Sequence, residues 1–178
     1  MNFARLLSVA AAVVLLNITA VHAGEVKIEG VHICCGQCVN IAQNTLKMVA
    51  GVSDAKADKD SGSITLTAAD DKAAGAAIKA LANAGFRGTA KHGDKSLDFP
   101  DSNAEKGSKA DKITITGVHL CCPACYGAAE KALKNVDGVT AINSDKKAKT
   151  LEVTGKGVDV NAALESLFKA GFQASVQK

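Results

Sequence analysis

Tryptophan is absent from this chain, and all aromatic residues together make up 3% of it. That scarcity removes the stacking platforms on which single-stranded bases are held. Charge is equally uninformative of a polyanion partner. The net +3 is spread along the chain, with 8 Lys+Arg against 7 Asp+Glu in residues 24–92 and 9 against 7 in residues 111–178. Nucleic acid is therefore excluded as the expected partner. Arginine occurs twice, as Arg5 and Arg87, which leaves no arginine-bearing loop to cradle a phosphate. Proline also occurs twice, as Pro100 and Pro123.

Long hydrophobic runs are missing too. The longest, Leu6 to Ile18, has 13 residues and is interrupted by Ser8 and Asn17, short of the roughly 20 a bilayer-spanning helix needs. With Arg5 ahead of it and Val21-His22-Ala23 behind it, residues 1–23 read as a secretory signal peptide cut after Ala23. The expectation is a periplasmic or secreted protein that starts at Gly24 and does not span the membrane. Its thiols then face an oxidising compartment, where they are metal-bound, disulfide-bonded or kept reduced by partners.

What is present is sulfur, in two places. All six cysteines lie in Cys34-Cys35-Gly36-Gln37-Cys38 and Cys121-Cys122-Pro123-Ala124-Cys125, each after a Gly-Val-His-apolar run. The similarity extends without a gap at an offset of 87, pairing Gly30 with Gly117, His32 with His119, Leu46 with Leu133 and Gly51 with Gly138. After one deletion, Ala84-Gly85-Phe86 meets Ala170-Gly171-Phe172 at an offset of 86. The chain is read as two copies of one unit, residues 24–92 and 111–178. Between them residues 93–110, rich in Lys, Asp, Ser and Gly, read as a solvated linker. Units of about 70 residues bury modest cores, so a bound metal or a disulfide would help each.

Within each unit the hydrophobic period alternates between two and 3.6. Val26/Ile28 and Ile113/Ile115 give a first strand, with a bulge or strand end at Gly30-Val31 and Gly117-Val118. Val39, Ala42, Leu46 and Val49, matched by Tyr126, Ala129, Leu133 and Val136, share one helix face that is expected to stop at Gly51 or Gly138. Val52/Ala55 and Ile64/Leu66 give two more strands; Ala74, Ile78 and Leu81 a second helix ending at Gly85, as the second copy does at Gly171; a short strand closes each unit. The order βαββαβ predicts an α+β protein of two tandem ferredoxin-like domains, each a four-stranded antiparallel sheet with two helices on one face.

A CxxC at the loop-to-helix junction places its second cysteine on the first helical turn, facing the first. Unsatisfied N–H groups at the helix N-terminus favour thiolate. Two thiolates without oxygen ligands suit Cu(I), and by the same softness Hg(II) or Cd(II). Zn(II) needs further donors, such as His32 or His119, or two domains sharing one ion.

These features resemble the heavy-metal-associated domain family, the ferredoxin-like modules of copper chaperones, metal-exporting ATPases and the periplasmic mercury-binding protein. The resemblance rests on the two CxxC motifs at the strand-to-helix junction and on Ala-Gly-Phe after the second helix. It implies metal ligation by Cys35 and Cys38, and by Cys122 and Cys125, with up to one ion per domain. Three positions depart from the family pattern Gly-Met-Thr/His-Cys-x-x-Cys. Ile33 and Leu120 replace the Met, Cys34 and Cys121 replace the Thr or His, and His32 and His119 replace the Gly. Cys34 and Cys121 are candidate third ligands. His32 and His119 read first as solvent-facing strand-end residues and second as ligands.

The function expected is non-catalytic: an exported protein that sequesters or relays a soft metal ion, Cu(I) first, with a metal-donating or metal-accepting protein as partner. A thiol–disulfide oxidoreductase and a disulfide-stapled interaction module are the alternatives. Against the former, the chain lacks the Trp beside the first cysteine and a proline positioned opposite the motif.

Overall fold

A computed structural model describes residues 23–145 and 147–177. The signal-peptide segment 1–22 lies outside the described residues.

The first domain runs β1 (Gly24–Glu29), α1 (Gly36–Lys47), β2 (Val52–Asp58), β3 (Ser63–Ala68), α2 (Asp71–Asn83), β4 (Thr89–His92) and β5 (Lys95–Leu97). The second runs β6 (Lys109–Thr116), α3 (Pro123–Lys134), β7 (Val139–Asp145), β8 (Thr150–Asp159), α4 (Val160–Lys169) and β9 (Ser175–Val176). Two antiparallel sheets result, in the orders β2-β3-β1-β4-β5 and β7-β8-β6-β9. This is the expected ferredoxin-like architecture twice over, with one addition: β5 lies beyond β4 and gives the first sheet a fifth strand.

The period-two residues explain the layering. Val26, Ile28, Ile64 and Leu66 are buried on one face of the first sheet, under Ala42 and Leu46 of α1 and Ala74, Ile78 and Leu81 of α2. Ile113, Ile115, Leu151 and Val153 repeat this beneath Ala129 and Leu133 of α3 and Leu164 and Leu167 of α4. Asp70 and Asp159 cap α2 and α4, accepting hydrogen bonds from the amides of Ala73 (2.6 Å) and Ala162 (3.0 Å).

Two sequence expectations change. Helix α1 ends at Lys47, before Gly51. Gly51, at φ +78°, instead serves the turn into β2, where its carbonyl accepts from the Ala69 amide at 2.8 Å. Residues 93–110 are more than a solvated linker. Besides β5 and the first residues of β6, they contain Phe99, which is buried, and Ser102 and Ser108, whose carbonyls accept from the amides of Val176 and Val160.

The two domains meet through their repeated motifs. Gly85 and Gly171 sit just past α2 and α4 at φ +85° and +84°. The following Phe86 and Phe172 amides return to Leu81 and Leu167 carbonyls at 3.0 Å each, which is a Schellman ending. Phe86 and Phe172 form an antiparallel bridge between the domains. The amide of Arg87 donates to the Gly171 carbonyl (3.2 Å), and that of Gln173 to the Gly85 carbonyl (3.0 Å). Because Arg87 and Gln173 are equivalent positions of the repeat, the contact is a pseudo-twofold one. Arg87 Nη1 seals it by donating to Gln173 Oε1 at 2.7 Å and to the Pro100 carbonyl at 3.0 Å.

Candidate metal centre

Cys35 and Cys122 occupy the N-cap positions of α1 and α3 in extended backbone, and Cys38 and Cys125 follow three residues on. N-cap and third-position side chains face one another across a helix end, the relation a capping box exploits. Here both are thiols, and the Sγ–Sγ separation is 3.6 Å in each domain. Pro123 opens α3 as its first residue, where its missing N–H costs nothing.

The pseudo-twofold contact then brings the two pairs together. Cys38 and Cys125, both fully buried, have their sulfurs 3.8 Å apart across the domain boundary. The added cysteine of each domain reaches into the other: Cys34 Sγ lies 3.4 Å from Cys125 Sγ and 3.4 Å from Cys122 Sγ, and Cys121 Sγ lies 3.5 Å from Cys38 Sγ. Each also touches its own partner, Cys34 to Cys38 at 3.6 Å and Cys121 to Cys125 at 3.7 Å. All six sulfurs belong to one connected group, and all six are free thiols. A tetrahedral ion with metal–sulfur bonds of about 2.3 Å needs sulfurs roughly 3.8 Å apart, a spacing close to these thiol–thiol contacts.

The histidines are not solvent-facing. His119 is 5% exposed and stacks on Phe86 of the other domain, with ring centroids 4.0 Å apart. His32 stacks on Phe172 at 4.3 Å. His119 Nδ1 must carry the proton, because it donates to the Ala84 carbonyl at 3.2 Å. Its Nε2 is left with a lone pair, buried and without a hydrogen-bond partner among the described residues, and His32 Nε2 is likewise buried and unpartnered. Burial lowers the pKa of both rings, which keeps them neutral and able to donate to a metal. Ligand atoms of His119, Cys38, Cys121 and Cys125 lie within 4.8 Å of one another, and so do those of His32, Cys34 and Cys125. The two motifs that meet, Gly-Val-His and Ala-Gly-Phe, each recur in both copies, and each packs against the other copy's partner motif, a pairing that recurrence alone does not reveal.

Burial and hydrogen bonds shift the thiols in opposite directions in the ion-free centre. Burial, reinforced by hydrogen bonding to Cys122, Cys125 and Cys38, raises the Cys34 thiol, and burial also raises Cys121 and Cys125. Cys122, aided most by the backbone N–H of Cys125, is lowered to about 6. Burial opposes ionisation of Cys38, but hydrogen bonds from the Cys34 backbone and the Cys121 and Cys35 side chains outweigh it and lower its pKa. A cleft of about 380 Å³, lined by Gln37, Ile41, Cys121, Cys122, Pro123 and Tyr126 among others, leads to the outer sulfurs.

Residues 113–173 match the model of the heavy-metal-associated domain. The second domain belongs to the heavy-metal-associated domain family. Over 154 residues, 80% of its length, the chain is 27% identical to a copper-exporting P-type ATPase of Vibrio cholerae serotype O1. That alignment is longer than either domain, so it runs through both. It spans 17% of the ATPase, and the pump's transport activity lies in a protein far larger than this chain. Among solved structures, oxidized MerP from Ralstonia metallidurans CH34 is 22% identical, covering 40% of this chain and 100% of its own, with a TM-score of 0.36. The N-terminal soluble domains of Bacillus subtilis CopA are 19% identical over 88% of this chain and 95% of theirs, with a TM-score of 0.34. The family match makes the second domain a metal-binding module.

Proposed function

We propose that the chain is an exported, non-catalytic protein that binds a soft metal ion, Cu(I) first and Hg(II), Cd(II) or Zn(II) after it, and either sequesters it or relays it to another protein. The observation that carries this reading is the donor set. Six thiols and two neutral imidazole nitrogens converge in the metal-ligating groups, and those groups contain no carboxylate. Soft, sulfur-rich sites without oxygen ligands select soft ions. Cu(I) stands first because the curated relative is named for copper export. The signal-like segment 1–23 supports export, and none of the helices among the described residues is long and apolar enough to cross a membrane. A partner that donates or accepts the ion would exchange it through the half-buried cysteines, with Cys121 and Cys122 lining the cleft, whereas Cys38 and Cys125 are closed off.

The test is elemental analysis of protein purified from its exported compartment, with thiols counted on the same sample. A soft metal in stoichiometric amount, in protein whose thiols are reduced, is the expected result. Metal-free protein with three disulfides would favour the stapled module instead.

A further inference from the structure

We infer that the six cysteines form one shared centre that takes a polynuclear Cu(I)–thiolate cluster, and that it does not hold one ion per CxxC pair. The inference rests on the soft-metal reading above and deepens it.

Separate two-sulfur sites need their sulfurs apart. Here the contacts that cross the domain boundary are as close as those within each CxxC: Cys34 to Cys125 and to Cys122 at 3.4 Å, Cys38 to Cys121 at 3.5 Å and Cys38 to Cys125 at 3.8 Å, against 3.6 Å within either pair. An ion on Cys35 and Cys38 is thus in reach of a sulfur from the second domain, and an ion on Cys122 and Cys125 in reach of one from the first. Cys38 and Cys125 lie at the middle of the group, where each touches four other sulfurs. Thiolates so placed bridge ions.

Valence then sets the capacity. Six thiolates that each bridge two ions supply about twelve metal–sulfur bonds, and three-coordinate Cu(I) uses them up at about four ions. Four Cu(I) with six thiolates carry a net charge of −2, which the N-termini of α1 and α3, both opening at the cluster, oppose. His119 and His32 each place a ring nitrogen within 4.8 Å of sulfurs of the group, and the buried Nε2 of each has no hydrogen-bond partner among the described residues. The third cysteine of each motif, unexplained by a two-sulfur site, is used as a bridging ligand.

Titration of the reduced full-length chain with Cu(I), read by native mass spectrometry and by the luminescence of solvent-shielded Cu(I)–thiolate clusters, separates the two arrangements. The expected result is a jump from the ion-free protein to about four Cu(I) per chain, with sparse one- and two-ion species and strong emission. The combined Cys34→Ser and Cys121→Ser variant should fall to about two ions and lose the emission. Cys122→Ser with Cys125→Ser should fall to about one, a fourfold loss. Two ions that fill one after the other with equal affinity, no emission, and no effect of the Cys34/Cys121 change would overturn the shared cluster while leaving soft-metal binding intact. A single Zn(II) bound in preference to Cu(I), lost in His119→Ala, would overturn it as well. Binding of none of Cu(I), Hg(II), Cd(II) or Zn(II) would refute the soft-metal reading itself. Should the Cys122/Cys125 variant fail to fold, the stoichiometry and emission of the unaltered protein decide.

Discussion

Adding one methyl group at Gly85 should loosen the metal centre, although Gly85 makes no contact with a sulfur. A Cβ built there lies 2.3 Å from the amide nitrogen of His119 and 2.7 Å from the carbonyl carbon of Val118, both rigid backbone of the other domain. Ordinary contact is about 3.5 Å, so the second domain must retreat by roughly 1.2 Å. A retreat of that size in the direction of the cysteines takes Cys34–Cys125 from 3.4 Å to about 4.6 Å, the most that one ion with bonds of about 2.3 Å can span. The residue also sits at φ +85°, where a side chain costs about 1–2 kcal/mol. Gly85→Ala should therefore lower the melting temperature by about 2–8 °C for a chain of this size and weaken Cu(I) in a competition assay by roughly tenfold or more, as 1.4 kcal/mol of lost binding would. Gly75, inside α2 with nothing within 4 Å of an added Cβ, is the control. Gly75→Ala should stabilise by about 0.5–1 kcal/mol and leave Cu(I) affinity unchanged. Gly85→Ala with the melting temperature and the Cu(I) affinity of the unaltered protein would refute the domain docking on which the shared site depends.

Asp70→Ala removes the cap of α2 and should cost about 1 kcal/mol in urea unfolding, with Cu(I) capacity unchanged because the cap lies away from the cysteines. The thiols of Cys34, Cys121 and Cys125 are raised in the fold by burial, so their protonated form is favoured there. Their contribution to the ion-free protein is complete below the unfolded thiol value of about 8.5 and fades above it. Cys122 and Cys38, which the fold lowers, act in the opposite sense and add stability as pH rises toward that value. The urea midpoint of reduced, ion-free protein should therefore fall only above about pH 8.5, where the raised thiols dominate, whereas Cu(I) binding at pH 7 should release protons, measurable in weakly buffered solution. Intact mass of the exported protein should correspond to a chain that begins at Gly24, and retention of residues 1–23 in a membrane fraction would refute export by a cleaved signal.

The fold was legible because its signals are local and repeated. Val26/Ile28 and Ile113/Ile115 alternate, Ala42/Leu46 and Ala129/Leu133 keep helical spacing, and each CxxC sits where the period changes. What the sequence hid was the relation between the copies. Gly85-Phe86 and Gly171-Phe172 read as helix endings, which they are, but nothing local says that each glycine is also the floor on which the other domain's histidine loop rests. Without that contact, His32 and His119 look like strand-end residues and Cys34 and Cys121 like optional third ligands. With it, the six cysteines and two histidines fall into three overlapping groups, in each of which the ligand atoms lie within 4.8 Å of one another. Strand β5 escaped notice because its one apolar residue, Leu97, lies among Lys95, Ser96 and Asp98, and an edge strand with one half-buried side chain carries little hydrophobic pattern. Gly51 misled for the opposite reason: a glycine past a helix suggests a cap, but here the chain makes a turn first and uses the positive φ to enter β2.

X-ray absorption at the copper edge of fully loaded, reduced protein tests the central claim most directly, because it counts the sulfurs around each ion and detects neighbouring metals together. The account predicts about three sulfurs per copper and a distinct copper–copper shell. Two sulfurs per copper with no copper–copper shell would mean that each CxxC acts alone, and would contradict it.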